Sequence, residues 1–398
     1  MKILLVAAFL LSPSIWASET SIQDFTYLVK NKNYTVLEQA EKVYQARQRI
    51  EFARGELLPS LNVWKLVNIV TNPLDISSWA EIAPFLSPSN WFRLEQNKVY
   101  YQAELHGYSA MLGNQVMNSR ILFMKVNQDH RIMRFIRDYK TELESVYDII
   151  KLKIDLGMEP PESGRELKIR ILALNEDLIR MRAYLSDARS ELAYIAGYAG
   201  NSEINPKDLR PVEISSKGKI TYDRIANEVI YNASELKQFD EFLRILPSVS
   251  KEIQFSFLGM SSASQGTAGG VFDQVPIPSG LGFATAPAMK IAKSQERVIR
   301  LQRQGVYETL LRQTKSATDR LAAEIDVRPF VLQRRSVSQE LASQYLEKLK
   351  LGQKIDLVRL ADAFHAKQMA LAAVLENEVQ FRMQKEKIDR LKAGGDYE

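Results

Sequence analysis

The sequence predicts a mainly α protein built from two structural repeats, each a long antiparallel helical hairpin, with short strand-like segments between helices. Two observations carry that prediction. Leu-Pro pairs at Leu58-Pro59 and Leu246-Pro247 lie 188 residues apart, and Leu-Gly pairs at Leu156-Gly157 and Leu351-Gly352 lie 195 apart, in the same order. Two landmarks with nearly one offset mark a duplicated unit. The second observation is a run of apolar residues at alternating spacings of four and three: Leu167, Ile171, Leu174, Leu178, Met181, Leu185, Ala188, Leu192 and Ile195. That rhythm is the seam of a helix packed against another helix.

Taken in chain order, residues 1–17 open with one lysine, an apolar core from Ile3 to Leu11 and a small residue at Ala17, the pattern of a cleaved signal peptide. The first repeat then occupies 18–215 and the second 216–398. Each begins with a helix, expected over Tyr34 to Leu57 and over Tyr222 to Leu246. Pro59 and Pro247 should end these helices and mark helix-to-strand junctions, because proline lacks the N–H that a helix interior needs.

Irregular segments follow, at about 60–88 and 248–287. In the second, Ile253, Phe255 and Phe257 alternate with Glu252, Gln254 and Ser256, the period of a strand with one apolar face. The Gly and Ser cluster from Ser261 to Gly270 suits a hairpin loop. The first segment lacks clean alternation and contains Pro73 and Pro84, which fit poorly in a central strand. Either a short β-hairpin or an irregular cap fits these lengths.

Very long helices are expected next, from about Ser89 to Leu156 and from about Ala288 to Leu351, each on the order of 100 Å at 1.5 Å per residue. Pro329 lies inside the second, where it either kinks the helix or divides it into two rods. Gly157 and Gly352 end the long helices and reverse the chain near 157–163 and 352–356, since glycine is disfavoured inside a helix but suited to its end. Pro160, Pro161 and a capping-box pattern from Ser163 to Glu166 start the first return helix. Ile136, Tyr139, Leu143, Val146 and Ile150 give the descending partner of the first seam. Leu357, Leu360, Phe364, Leu371 and Leu375 give the second seam.

Composition removes several classes of function. The chain has no cysteine, hence no disulfide, thiolate metal site or lipid-bearing N-terminal cysteine. After the signal peptide, no segment carries the run of roughly 18 apolar residues that a membrane helix requires. A formal charge of +5 from 53 basic and 48 acidic residues includes no basic block, so no nucleic-acid partner is expected. The histidines His106, His130 and His365 have no neighbour at metal-ligand spacing, and the glycine runs lack the lysine of a phosphate loop. Catalysis, a metal and a cofactor are all unexpected.

In order and spacing the landmarks resemble the outer-membrane efflux protein family, the TolC-like channels. The matching stretches are A-R-Q-R-I-E-F-A-R-G-E-L-L-P-S-L, A-P-F-L-S-P-S-N-W at 83 to 91, and the tips L-G-M-E-P-P-E-S-G and L-G-Q-K-I-D-L-V-R-L-A-D-A. The resemblance implies an α-helical tube in the periplasm and a homotrimer whose short β-hairpins build a shared outer-membrane β-barrel. It implies a passive exit duct of a tripartite efflux or type I secretion system. The periplasmic tips would then meet an adaptor protein and an inner-membrane transporter, through Gly157, Ser163 and Arg165 of the first hairpin and Gly352, Lys354, Asp356 and Arg359 of the second. Six residues past each tip glycine the family often carries an entrance-narrowing aspartate, whereas this chain has Ser163 and Val358. A periplasmic helical-tube interaction protein with a reduced or missing barrel is the other reading left open.

Overall fold

The structure is a computed structural model that describes residues 19–58, 84–214, 221–255, 275–278, 283–353 and 355–397. Among the described residues, eight α-helices fall into two series of matching lengths. The first series is α1, Ile22–Lys32 (11 residues), α2, Tyr34–Gly55 (22), α3, Pro88–Asp155 (68), and α4, Pro161–Ile195 (35). The second is α5, Tyr222–Asn232 (11), α6, Ser234–Phe255 (22), α7, Thr285–Lys350 (66), and α8, Leu357–Ala393 (37). The near-identical lengths, in the same order, carry the duplication from sequence landmarks into structure.

Where one helix was expected at the start of each series there are two, broken at Asn33 and Ala233. The breaks have matched surroundings. Asn33 Nδ2 donates to the Ile195 carbonyl at 2.8 Å, and Asn232 Nδ2 donates to the Lys392 carbonyl at 2.7 Å. Each amide thereby satisfies a carbonyl that the end of a return helix leaves open. Beside them, Gly197 (φ 78°) and Gly394 (φ 59°) press on the backbone of the short helices. An added Cβ would lie 2.3 Å from the Lys32 oxygen or 2.1 Å from the Asn232 oxygen. Both the left-handed backbone and the missing side chain are needed there.

Two local expectations are corrected and one open alternative is resolved. Pro247 does not end its helix: α6 continues to Phe255 with the proline inside. An internal proline costs about 3 kcal/mol, but continuing the helix buries Val249 and Ile253 completely, worth about 1.5–3 kcal/mol each. Tertiary burial wins, and so Glu252, Ile253 and Phe255 are helical rather than a strand. Ser163 does not cap α4 either. The helix starts at Pro161 with Pro160 as its N-cap and carries no side-chain cap hydrogen bond there. Finally, α7 runs unbroken through Pro329, which sets aside the two-rod alternative. Pro59 and most of the strand-like segments lie outside the described residues; α2 already ends at Gly55, ahead of Pro59.

Two compact units divide the chain. One comprises residues up to Tyr34, Gln115–Thr221 and Ser316–Ile388. Its core near the tips joins Tyr139, Leu143, Val146 and Ile150 of α3 with Leu167 and Ile171 of α4, Ala342 and Leu349 of α7, and Leu357, Leu360 and Phe364 of α8. Farther along, Phe25 and Val29 of α1 pack on Phe123, Leu185 and Leu192, and one isolated parallel bridge pairs Thr20 with Pro206. The other unit comprises Thr35–Asn114, Tyr222–Lys315 and the chain from Asp389 onward. Its core gathers Ile245, Val249 and Ile253 of α6 with Ala103 of α3 and Ala288, Ala292 and Ile299 of α7. Within it, Glu252 is 1 % exposed and accepts from Ser89 Oγ at 3.1 Å, Arg93 Nε at 3.3 Å and Gln96 Nε2 at 2.8 Å.

Candidate docking tips

Both tips use one hydrogen-bonded reversal. At the first, the Gly157 N–H donates to the Ile154 carbonyl at 2.9 Å and the Met158 N–H to the Lys153 carbonyl at 2.8 Å. At the second, Gly352 donates to Leu349 at 3.2 Å and Gln353 to Lys348 at 3.1 Å. This paired pattern is a Schellman motif, which requires a left-handed residue at the helix end. Gly157 has φ 70° and Gly352 has φ 75°, with open space around each. Here conformation alone, not close packing, calls for glycine.

Asp356 is the N-cap of α8. Its Oδ1 accepts from the Val358 N–H at 3.0 Å and the Arg359 N–H at 3.4 Å, and Arg359 Nε lies 3.6 Å from its other oxygen. Such a cap also places a negative charge at the positive end of the helix. Of the remaining expected tip residues, Arg165 is exposed and Ser163 half-buried. Lys354 lies outside the described residues.

Above the reversals the two hairpins are held side by side. Arg170 of α4 pairs with Asp362 of α8 at 3.0 Å, Lys367 of α8 pairs with Glu142 of α3, and the Tyr139 hydroxyl donates to the Ala361 carbonyl at 3.4 Å. Burial pushes the Tyr139 phenol up, with the nearby Arg170 opposing it. The apolar core beneath these pairs supplies most of the cohesion, because exposed ion pairs contribute about 0–1 kcal/mol.

The basic residues that the sequence places at the tips do not stand alone. Exposed Lys151, Arg165, Lys168, Lys350 and Arg359 alternate with exposed Asp155, Glu162, Glu166, Glu347 and Asp356. Among them project Leu152, Leu156, Met158, Leu351 and Val358. The tips therefore present an apolar crown in mixed charge rather than a positive field.

Solved structures with this arrangement include a membrane protein from Pseudomonas aeruginosa, at TM-score 0.70 and 14% identity over 95% of this chain and 91% of that one. The outer-membrane channel OprN matches at TM-score 0.73 and 11% identity, over 95% and 91% of the two chains. The Campylobacter jejuni CmeC outer membrane channel matches at TM-score 0.70 and 10% identity, over 94% and 86%. The chain has the TolC-like channel fold. No family model and no curated protein matches the sequence, so the likeness lies in the path of the backbone.

Within the TolC-like fold, both reversal glycines sit at hairpin ends, as the sequence spacing requires. The Asn33 and Asn232 junctions were missed. Their signal was present in the sequence, since A-G-Y at 196 to 198 and A-G-G at 393 to 395 put Gly197 and Gly394 another 197 residues apart.

Proposed function

We propose that the protein is a channel subunit of the outer membrane and periplasm, the passive exit duct of a tripartite efflux or type I secretion system. Three copies assemble as a homotrimer. Residues 18–215 and 216–398 act as the two repeats, and the strands of a shared barrel come from within the segments near 60–88 and 248–287, in the second only beyond the end of α6 at Phe255. A periplasmic adaptor and an inner-membrane transporter meet the tips, with Gly157, Ser163, Arg165, Gly352, Lys354, Asp356 and Arg359 in the docking region. The protein needs no cofactor in this role, and selection among cargoes rests on the width and polarity of the entrance.

The observation that carries this reading is the likeness, across 94–95% of the chain, to proteins described as outer-membrane channels. The signal-peptide pattern of residues 1–17 points the same way. No helix among the described residues is long and apolar enough to cross a membrane. Fractionation tests it. Recovery in the outer-membrane fraction, with gel migration that changes on heating, is the expected result. Release as a soluble periplasmic protein would instead support a helical interaction protein without a barrel.

A further inference from the structure

Charge is unevenly shared where the chain leaves α4 and crosses α3, inside the unit that holds the tips. Asn127, His130, Arg134 and Arg137 step by three, four and three residues, so they share one face of α3. The connector after α4 lies on that face. Asn127 Nδ2 donates to the Lys207 carbonyl at 3.1 Å, and Arg134 Nη2 donates to both oxygens of Asp208 at 2.6 Å. Arg189 of α4 is tied to the same connector, its carbonyl accepting from the Ile204 N–H at 3.3 Å.

The cations of this cluster outnumber the anions open to them. Nearby carboxylates are engaged: Asp208 by Arg134, Glu203 by Ser186 Oγ at 2.6 Å, and Asp129 by the Tyr184 hydroxyl. Among the described residues no carboxylate lies within ion-pair distance of Arg189 or Arg137. Two buried nitrogens there also lack a hydrogen-bond partner, Arg189 Nε and His130 Nδ1. A guanidinium N–H is always a donor, and a buried donor left unmatched is unfavourable. The two groups are neighbours: after burial, Arg189 acts most strongly in holding the His130 imidazole below its ordinary range, followed by Arg134 and Arg137, with Asp208 opposing.

We propose that Arg189 Nε and His130 Nδ1 are the donors of a binding site for a small free oxyanion of the sulfate and phosphate class, completed by the charges of Arg134 and Arg137. The oxygens of such an anion accept from both N–H groups, and the bonds are strongest when donor and acceptor are both charged. A neutral imidazole donates from one nitrogen only, whereas an imidazolium donates from both. Anion binding therefore favours the protonated ring, so affinity rises as pH falls through the ring's folded value, and the bound anion moves that value upward. Asp208 opposes an anion weakly, because its charge is matched by the two hydrogen bonds from Arg134. Bound there, the anion joins α3 to α4 beside the connector between the two repeats. The site stands independently of the channel reading.

Sulfate is the probe, with purified full-length protein. Its charge stays constant between about pH 8 and about pH 6, where a histidine changes its own, so a pH dependence reports the protein. At ionic strength fixed with chloride, sulfate should raise the melting temperature along a saturating curve, with half-saturation several-fold tighter at the lower pH. Arg189→Gln should abolish the saturating component and His130→Gln its pH dependence. Arg182→Gln, an exposed arginine seven residues earlier on the same helix, should leave both intact. If Arg189→Gln does not fold, Arg189→Lys, which keeps the charge without the Nε–H, takes its place and should weaken half-saturation several-fold. Sulfate also stabilises folded chains generally, by exclusion from their surfaces. A rise that stays linear and equal in every variant would be that effect and would overturn the site. So would a saturating rise that the Arg189 variants leave unchanged, or one that weakens at the lower pH.

Discussion

Among the described residues, four glycines with positive φ look alike in sequence but stand in two environments, and substitution separates them. At Gly352 a side chain meets nothing, so a non-glycine residue costs only the left-handed strain of about 1–2 kcal/mol, confined to one turn. Gly352→Val should therefore weaken partner docking in pull-down while leaving membrane insertion intact; lost insertion would show that the glycine is not at a free tip. At Gly197 the same strain is joined by a Cβ only 2.3 Å from the Lys32 oxygen, which adds about 1–3 kcal/mol of overpacking. Gly197→Ala should lower the global melting temperature, and an unchanged value would refute the contact. A third residue responds to pH. Burial first, then Arg189, Arg134 and Arg137, holds His130 below the usual imidazole range, with Asp208 opposing. Stability from the neutral ring is complete above about pH 6.5 and is lost as pH falls through the lowered folded value. His130→Gln should flatten that part of the urea-midpoint profile between pH 7 and 5, whereas a parallel profile would place the acid sensitivity elsewhere.

At the scale of elements, the legible features were those that a period of 3.6 or a special backbone angle writes into the chain. The long helices, the buried seams of α3 and α4 and both reversals could be read because Leu167, Ile171, Leu178, Leu185 and Leu192 are buried at heptad spacing and Gly157 and Gly352 must be left-handed. The continuation of α6 could not. Pro247 and the alternation of Glu252 with Ile253 argue locally for a strand, and only neighbours distant in sequence reverse the balance. Glu252 is the clearest instance. As the polar member of an alternating run it should face water, yet it is buried against Arg93, with Ser89 and Gln96 donating to it. The exposed apolar residues of α4 and α7, such as Ile169, Ile179, Phe330 and Val337, were hidden for another reason: they interleave with the inner seams, and one-dimensional spacing cannot tell a second apolar face from a broad first one. The Glu252 cluster fixes the register of α6 on the start of α3. Breaking a buried ion pair by removing one member costs about 3–5 kcal/mol. Glu252→Ala should therefore lower the denaturant midpoint and speed hydrogen exchange in 245–255, while Arg244→Ala, which removes an exposed guanidinium one helical turn from Glu241, should cost less than about 1 kcal/mol. Equal effects would mean that Glu252 has no anchoring role.

For the molecule as a whole, the decisive quantity is the large apolar surface that each compact unit leaves in contact with water. Ile169, Ile179, Phe330 and Val337 are uncovered in one, and Phe52, Leu301 and Tyr231 in the other. Single exposed apolar residues are ordinary, but periodic stripes of them indicate a surface meant for a partner. If that partner is another copy, folding and assembly are linked by mass action, and the melting temperature must depend on protein concentration. A self-sufficient monomer has no such dependence, whatever its stability. Purified protein in fixed detergent should thus melt about 1–3 °C lower for each tenfold dilution. Phe330→Asp, which puts a charge into one stripe without touching the buried core, should remove much of that dependence and lower the melting temperature at high concentration toward the dilute value. A melting curve that superimposes across a hundredfold range would show that the uncovered faces contribute nothing to stability through other copies, and with that the proposed assembly would lose its energetic basis.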